Sequence, residues 1–123
     1  MDHEECRRYI EMLQLEPHPE GGYYAEVYTS HEQRRQGTDA RPLAGSIYYL
    51  LDAGEVSASH EIDCDEIWYY HAGCGVEAFL FYPDGQFETV RLGLDVAAGE
   101  RPSFTVPAGS ILPRGTLRQM AAR

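Results

Sequence analysis

The spacing of apolar residues changes character near residue 16. Before it, Cys6, Tyr9, Ile10 and Leu13 recur with helical periodicity and predict one helix over residues 2–15. Asp2 caps its start, and Glu5, three positions on, is the reciprocal partner. Pro17 and Pro19 end it, and its single apolar stripe predicts packing against the outside of a sheet. After residue 16 the apolar positions are aromatic or β-branched and come in short runs, which predict strands over 21–30, 42–51, 56–62, 66–72, 76–82, 86–92 and 103–109. The run 42–51 reads as a buried strand. Residues 31–42 carry no apolar pattern and read as a mobile surface loop. Asp52–Glu55 turns about Gly54, and Pro83-Asp84-Gly85 marks a hairpin. The tail, 113–123, has little strand character and carries Arg114, Arg118 and Arg123. It reads as atypical or truncated, leaving a sheet edge open unless the tail or a partner covers it.

Short strands behind one helix, without strand–helix alternation, predict an all-β antiparallel sandwich or barrel. The 123 residues suit a single domain, with no repeat or linker to divide it. The 20 acidic and 10 basic residues give a net charge of −10, which repels nucleic acid and disfavours anionic membranes. No run is long and apolar enough to span a bilayer, and the charged N-terminus is unlike a secretory signal. Cys6, Cys64 and Cys74 are odd in number and lack Cys-x-x-Cys spacing, which fits a reduced, cytoplasmic protein. Asp63 and Asp65 flank Cys64 and should raise its thiol pKa.

The candidate chemistry centres on Gly54, His60, Glu66 and Gly73. An imidazole and a carboxylate on adjacent strands, bracketed by glycines, can face each other inside a small barrel. The spacing resembles the first signature of the cupin superfamily, a Gly, a His-x-His pair, a Glu and a second Gly. Pro107-Ala108-Gly109 follows as a second cupin-like element. The segments PHPEGGYY (17–24), RPLAGSIYYLL and EIWYYHAG resemble a small branch of cupins described as a domain of unknown function, marked by His-Pro-Glu-Gly-Gly. The resemblance covers roughly residues 16–112. It implies a cupin-type double-stranded β-helix, or jelly-roll barrel, with a short N-terminal α-helix, usually a homodimer with one pocket per barrel. It implies no settled activity. Two positions depart from the pattern: Ile62 replaces the second His, and Leu112 stands where the second motif usually holds a metal-binding His.

Three chemistries are open. In a metal-independent isomerase or epimerase, His60 is the base, Glu66 its orienting partner, and Tyr70, on Glu66's strand face by parity, the acid. Arg41 and Arg91 are the only nearby candidates for holding nucleotide phosphates, which weakens a nucleotide-sugar substrate. In a metal-dependent, dioxygenase-like cupin, His60 and Glu66 would share a divalent cation with His18 or Glu20; with Ile62 in a ligand's place no metal ligand is assigned. In a non-catalytic binder, Trp68, tyrosines and the His18–Glu20 segment line a site for a small planar or sugar-like molecule. Tyr23-Tyr24 and Tyr48-Tyr49 each put one ring inward and one outward, and a second copy of the chain is the simplest cover for the outward rings.

Overall fold

The computed structural model describes residues 2–52, 54–55 and 57–120. Val56, where the predicted strand 56–62 begins, and Arg123 lie outside the described residues.

Helix α1 spans His3–Met12. The Asp2 side chain accepts the Glu5 amide at 2.9 Å, as the cap predicts. The helix stops short of residue 15 because Gln14 takes a left-handed conformation, with φ of 55°. Cys6 and Ile10 pack with Leu15, Leu50, Tyr23 and Ala25, while Tyr9, Met12 and Leu13 stay exposed.

Strands β1 (Glu16–Pro17), β2 (Tyr23–Thr29) and β5 (Gly45–Leu50) form an antiparallel sheet in the order β1-β2-β5. Tyr23 pairs with Leu50 and Tyr24 with Tyr49, so the two pairs point to opposite faces. The Tyr23–Leu50 face takes the helix; the Tyr24–Tyr49 face carries His18.

Between β2 and β5 the expected loop is a hairpin, β3 (Gln33–Gln36) on β4 (Asp39–Pro42). Gly37 supplies the positive φ of 64° that a two-residue turn needs. The hairpin has no apolar face, so periodicity gives no sign of it. A second correction concerns β5. Only its end, Leu50, is buried; Ile47, Tyr48 and Tyr49 are exposed, and the strand pairs only with β2 among the described strands.

The remaining strands are β6 (His60–Glu61), β7 (Glu66–Tyr69), β8 (Val76–Phe81), β9 (Phe87–Leu92), β10 (Ser103–Val106), β11 (Ile111–Leu112) and β12 (Arg118–Gln119). Strand β8 is the axis of the larger sheet. Strand β9 pairs along its whole length through the predicted Pro83-Asp84-Gly85 hairpin, where the Tyr82 amide donates to the Gln86 carbonyl at 2.7 Å. Its other edge is shared by β11, through Ile111 and Phe81, and β12, through Arg118 and Glu77. The tail therefore covers the β8 edge beside β11. Leu117 anchors it in the core, and Gln119 donates to the Leu51 carbonyl.

Strands β7 and β10 form a two-stranded ribbon, with Trp68 opposite Phe104. The main core lies between this ribbon and the larger sheet. It comprises Leu51, Ile62, Ala78, Leu80, Val90, Val106, Leu112 and Leu117, with Trp68, Val76, Tyr82 and Phe104 packed against it. Full burial of a leucine such as Leu80 or Leu112 contributes about 1.5–3 kcal/mol. This is the jelly-roll architecture that the strand pattern and the family likeness predict. Among the described residues, no helix is long and apolar enough to cross a membrane.

Candidate functional site

His60 opens β6 and pairs with Leu112 of β11. Its side chain is 21% exposed. Nδ1 lies 3.2 Å from Glu20 Oε2 and 3.1 Å from the Ala58 carbonyl oxygen. A carboxylate and a carbonyl only accept, so Nδ1 carries the proton and Nε2 is left with the lone pair. Ala58 closes the arrangement, because its amide donates to the Glu20 carbonyl at 2.9 Å. Three contacts thus make a ring through His60, Glu20 and Ala58.

Glu20 lies in the His18–Gly22 turn, which leads into β2. Its amide donates to His18 Nδ1 at 3.0 Å, so that nitrogen of His18 is an acceptor. The His18 amide donates to the Gly22 carbonyl at 2.8 Å, and the Gly21 amide to the His18 carbonyl at 3.1 Å. The His18 ring meets Tyr24 and Tyr49 edge-on, at centroid separations of 4.9 and 5.6 Å. Two further groups grip the glycines: Tyr49 donates its hydroxyl to the Gly21 carbonyl at 2.6 Å, and the Gly22 amide donates to Glu55 Oε2 at 3.0 Å. Gly22 has φ of 76°, and a Cβ there would stand 2.7 Å from both the Tyr49 hydroxyl and the Leu50 carbonyl. Burial, with the charges of Glu55 and Glu20, pushes the Tyr49 phenol up to about 12.

The sequence points to His18, Glu20 and His60, and the structure brings these three together. It gives His60 a different partner from the one expected. Glu20 holds its Nδ1, while Glu66 Oε1 accepts the Trp68 indole N–H at 2.9 Å. Trp68 packs on Phe104, at 5.2 Å between centroids, and on the apolar core. Tyr70 keeps the inward parity of Glu66 and Trp68, but its hydroxyl donates to the Gly73 carbonyl. It lines a recess of about 320 Å³ with Cys74, Leu94, Glu100 and Met120, in whose lining neither His60 nor Glu66 takes part. Sequence reasoning missed Tyr49, Glu55 and Ala58 as members of the site. The one available signal was the alternation in Tyr48-Tyr49, which puts one of those rings on the His18 face.

The metal positions of the cupin pattern are filled differently. Ile62 is 2% and Leu112 0% exposed, and both belong to the apolar core. A side chain without lone pairs cannot ligate, so the residues present do not fit the cupin metal centre. Among the described residues, no group of three His, Cys, Asp or Glu is arranged to hold a cation. The candidate phosphate-binding arginines are both engaged. Arg41 Nη1 lies 2.7 Å from Asp63 Oδ2, and Arg91 Nε 3.4 Å from Glu77 Oε2. The Arg41 guanidinium holds the Asp63 carboxyl below its usual range. The three cysteines are free thiols. Burial, then the Asp63 charge, raises the Cys64 thiol, in the direction its acidic turn predicts.

Two solved structures resemble the chain along most of its length. A hypothetical protein from Leishmania major superposes with a TM-score of 0.81 at 32% identity, covering 89% of this chain and 68% of its own. Protein SO0799 from Shewanella oneidensis superposes with a TM-score of 0.78 at 40% identity, covering 97% and 72%. No curated protein matches. The family model described as Cupin superfamily (DUF985) matches residues 7–119, and the chain belongs to that family.

Proposed function

We propose that this protein binds a small neutral or weakly polar molecule beside His60 and moves a proton on it without a metal, as an isomerase or epimerase does. One observation carries the reading: the Glu20 carboxylate and the Ala58 carbonyl fix the proton on Nδ1, which frees Nε2 to act as a base. The carboxylates of Glu20 and Glu55 make the surroundings negative, which disfavours phosphorylated or carboxylated substrates. The buried Ser110 hydroxyl has no hydrogen-bond partner among the described residues, and its strand parity is that of Leu112, the residue opposite His60. It is a further polar handle for a ligand. Glu66 and Trp68 complete the proposed wall, Tyr70 belongs to the separate recess, and the working form is a homodimer.

The apolar packing of Ile62 and Leu112 favours a second reading, in which the site binds without catalysis. A thermal-shift screen with unphosphorylated sugars and planar neutral compounds separates the outcomes, since a ligand of the folded state raises the melting temperature. The expected result is a stabilising compound whose effect disappears in His60→Ala. A compound that stabilises His60→Ala as well as the parent removes His60 from the site. A compound that binds through His60 but stays unchanged in solvent deuterium, with no exchange of its protons, leaves binding alone.

A further inference from the structure

The glycine turn beneath the imidazole is clamped from outside. Glu20 reaches His60 only through its side chain; the backbone polar groups of Glu20, Gly21 and Gly22 are all claimed. The carbonyl of Glu20 takes the Ala58 amide at 2.9 Å, that of Gly21 takes the Tyr49 hydroxyl at 2.6 Å, and the Gly22 amide goes to Glu55 at 3.0 Å. Gly22 cannot carry a side chain while the Tyr49 ring lies where it does, because a Cβ would stand 2.9 Å from the ring's Cζ. Tyr49 comes from β5 and Glu55 from the turn beyond it, so the clamp joins elements far from the turn in sequence.

We infer that Tyr49 is a positioning residue: its hydroxyl, through the Gly21 carbonyl, holds the turn so that the Glu20 carboxylate stays on His60 Nδ1 and keeps the imidazole in one tautomer, with Glu55 as the second grip. The inference rests on the reading of His60 as a base. The Tyr49 phenol, pushed up by burial and by Glu55 and Glu20, remains a donor throughout the neutral range. The arrangement follows the rule that the groups behind a working imidazole set which of its nitrogens is protonated.

The test is a long-range proton–nitrogen NMR spectrum of the histidines at pH 8, with the His60 signals assigned by their loss in His60→Gln. The parent protein should show His60 as a single Nδ1–H tautomer. Tyr49→Phe keeps the ring against His18 and removes only the donor. It should turn the His60 pattern into a mixture of tautomers, while Tyr48→Phe on the opposite face leaves it unchanged. Glu20→Ala, which removes the carboxylate from Nδ1, should likewise turn the pattern into a mixture. A Tyr49→Phe protein whose His60 pattern matches the parent's overturns the inference. If Tyr49→Phe does not fold, Glu55→Ala, which removes the acceptor of the Gly22 amide, takes its place, with the same two outcomes. None of these spectra needs a substrate, so the clamp can fail while ligand binding through His60 survives, and the reverse.

Discussion

Tyr49 shows how one side chain can serve packing, backbone geometry and electrostatics together. Its phenol is pushed up to about 12, chiefly by burial. A tyrosine whose folded-state pKa exceeds its unfolded value of about 10 stabilises the fold below that value and loses the contribution as the pH climbs through the folded one. Urea midpoints should therefore fall between about pH 10 and about pH 12, and fall less in Tyr49→Phe. Equal declines in both proteins would assign the loss to other groups. Gly22 is the complementary case. Gly22→Ala meets both a positive φ and two oxygen atoms at 2.7 Å, and should cost at least about 1–3 kcal/mol in chemical denaturation. The thiols give a third measurement. Cys6 is 1% exposed and its thiol is raised to about 11, by burial first and then by Asp52, so a disulfide reagent should reach it only after unfolding, well behind the exposed Cys64. At this scale the sequence made His18, Glu20 and His60 legible, because two motifs mark them. It did not make their pairing legible. Strand parity says which face a residue is on, but not that a turn forty residues upstream folds under the imidazole ahead of Glu66.

Elements with a hydrophobic face could be read from the sequence, and elements without one could not. Helix α1 and the β8–β9 hairpin follow from apolar spacing and turn chemistry, and both form near their predicted places. Strand β3 is polar throughout and β4 offers only Ala40 and Pro42 as non-polar residues, so nothing but Gly37 announces the hairpin. Strand β12 is two residues long and is held by its neighbour Leu117 more than by any strand propensity. Leu117→Ala should accordingly cost about 2–5 kcal/mol and expose the β8 edge, seen as faster hydrogen exchange at Val76 and Glu77. Slow exchange there despite the lost stability would mean that β12 holds through its ladder alone.

The whole molecule carries a strip that the single chain leaves uncovered. Strand β5 reads GSIYYL, with no charge and no proline, and among the described residues it pairs on one side only. Ile47 and Tyr48 are exposed along it, Tyr49 keeps 40% of its surface exposed, and Val27 and Tyr28 are exposed on β2. An open uncharged edge of this kind is a template for another strand. At a net charge of −10, two copies repel over most of their surfaces, and an uncharged strip is where they can meet. A two-fold pairing of β5 with itself satisfies the symmetry of a homodimer. Light scattering should give twice the 13.9 kDa chain mass for the parent and a single chain mass for Ile47→Asp. A parent that is monomeric at high concentration would end the dimer proposal. The sequence supplied the outward tyrosines behind this expectation, but not that β5 would be exposed, since an apolar run reads alike whether a core or a second subunit covers it.

The Ala58 peptide, which donates to Glu20 and accepts from His60, also bears on motion. Its amide hydrogen cannot meet solvent until the glycine turn lets go, and the turn cannot swing away without tugging on the imidazole. The sheet beside the helix and the segment leading into β6 should therefore open as one cooperative unit. Under the proposed function, this arrangement keeps the base aligned between turnovers, and alignment and local order are lost in the same step.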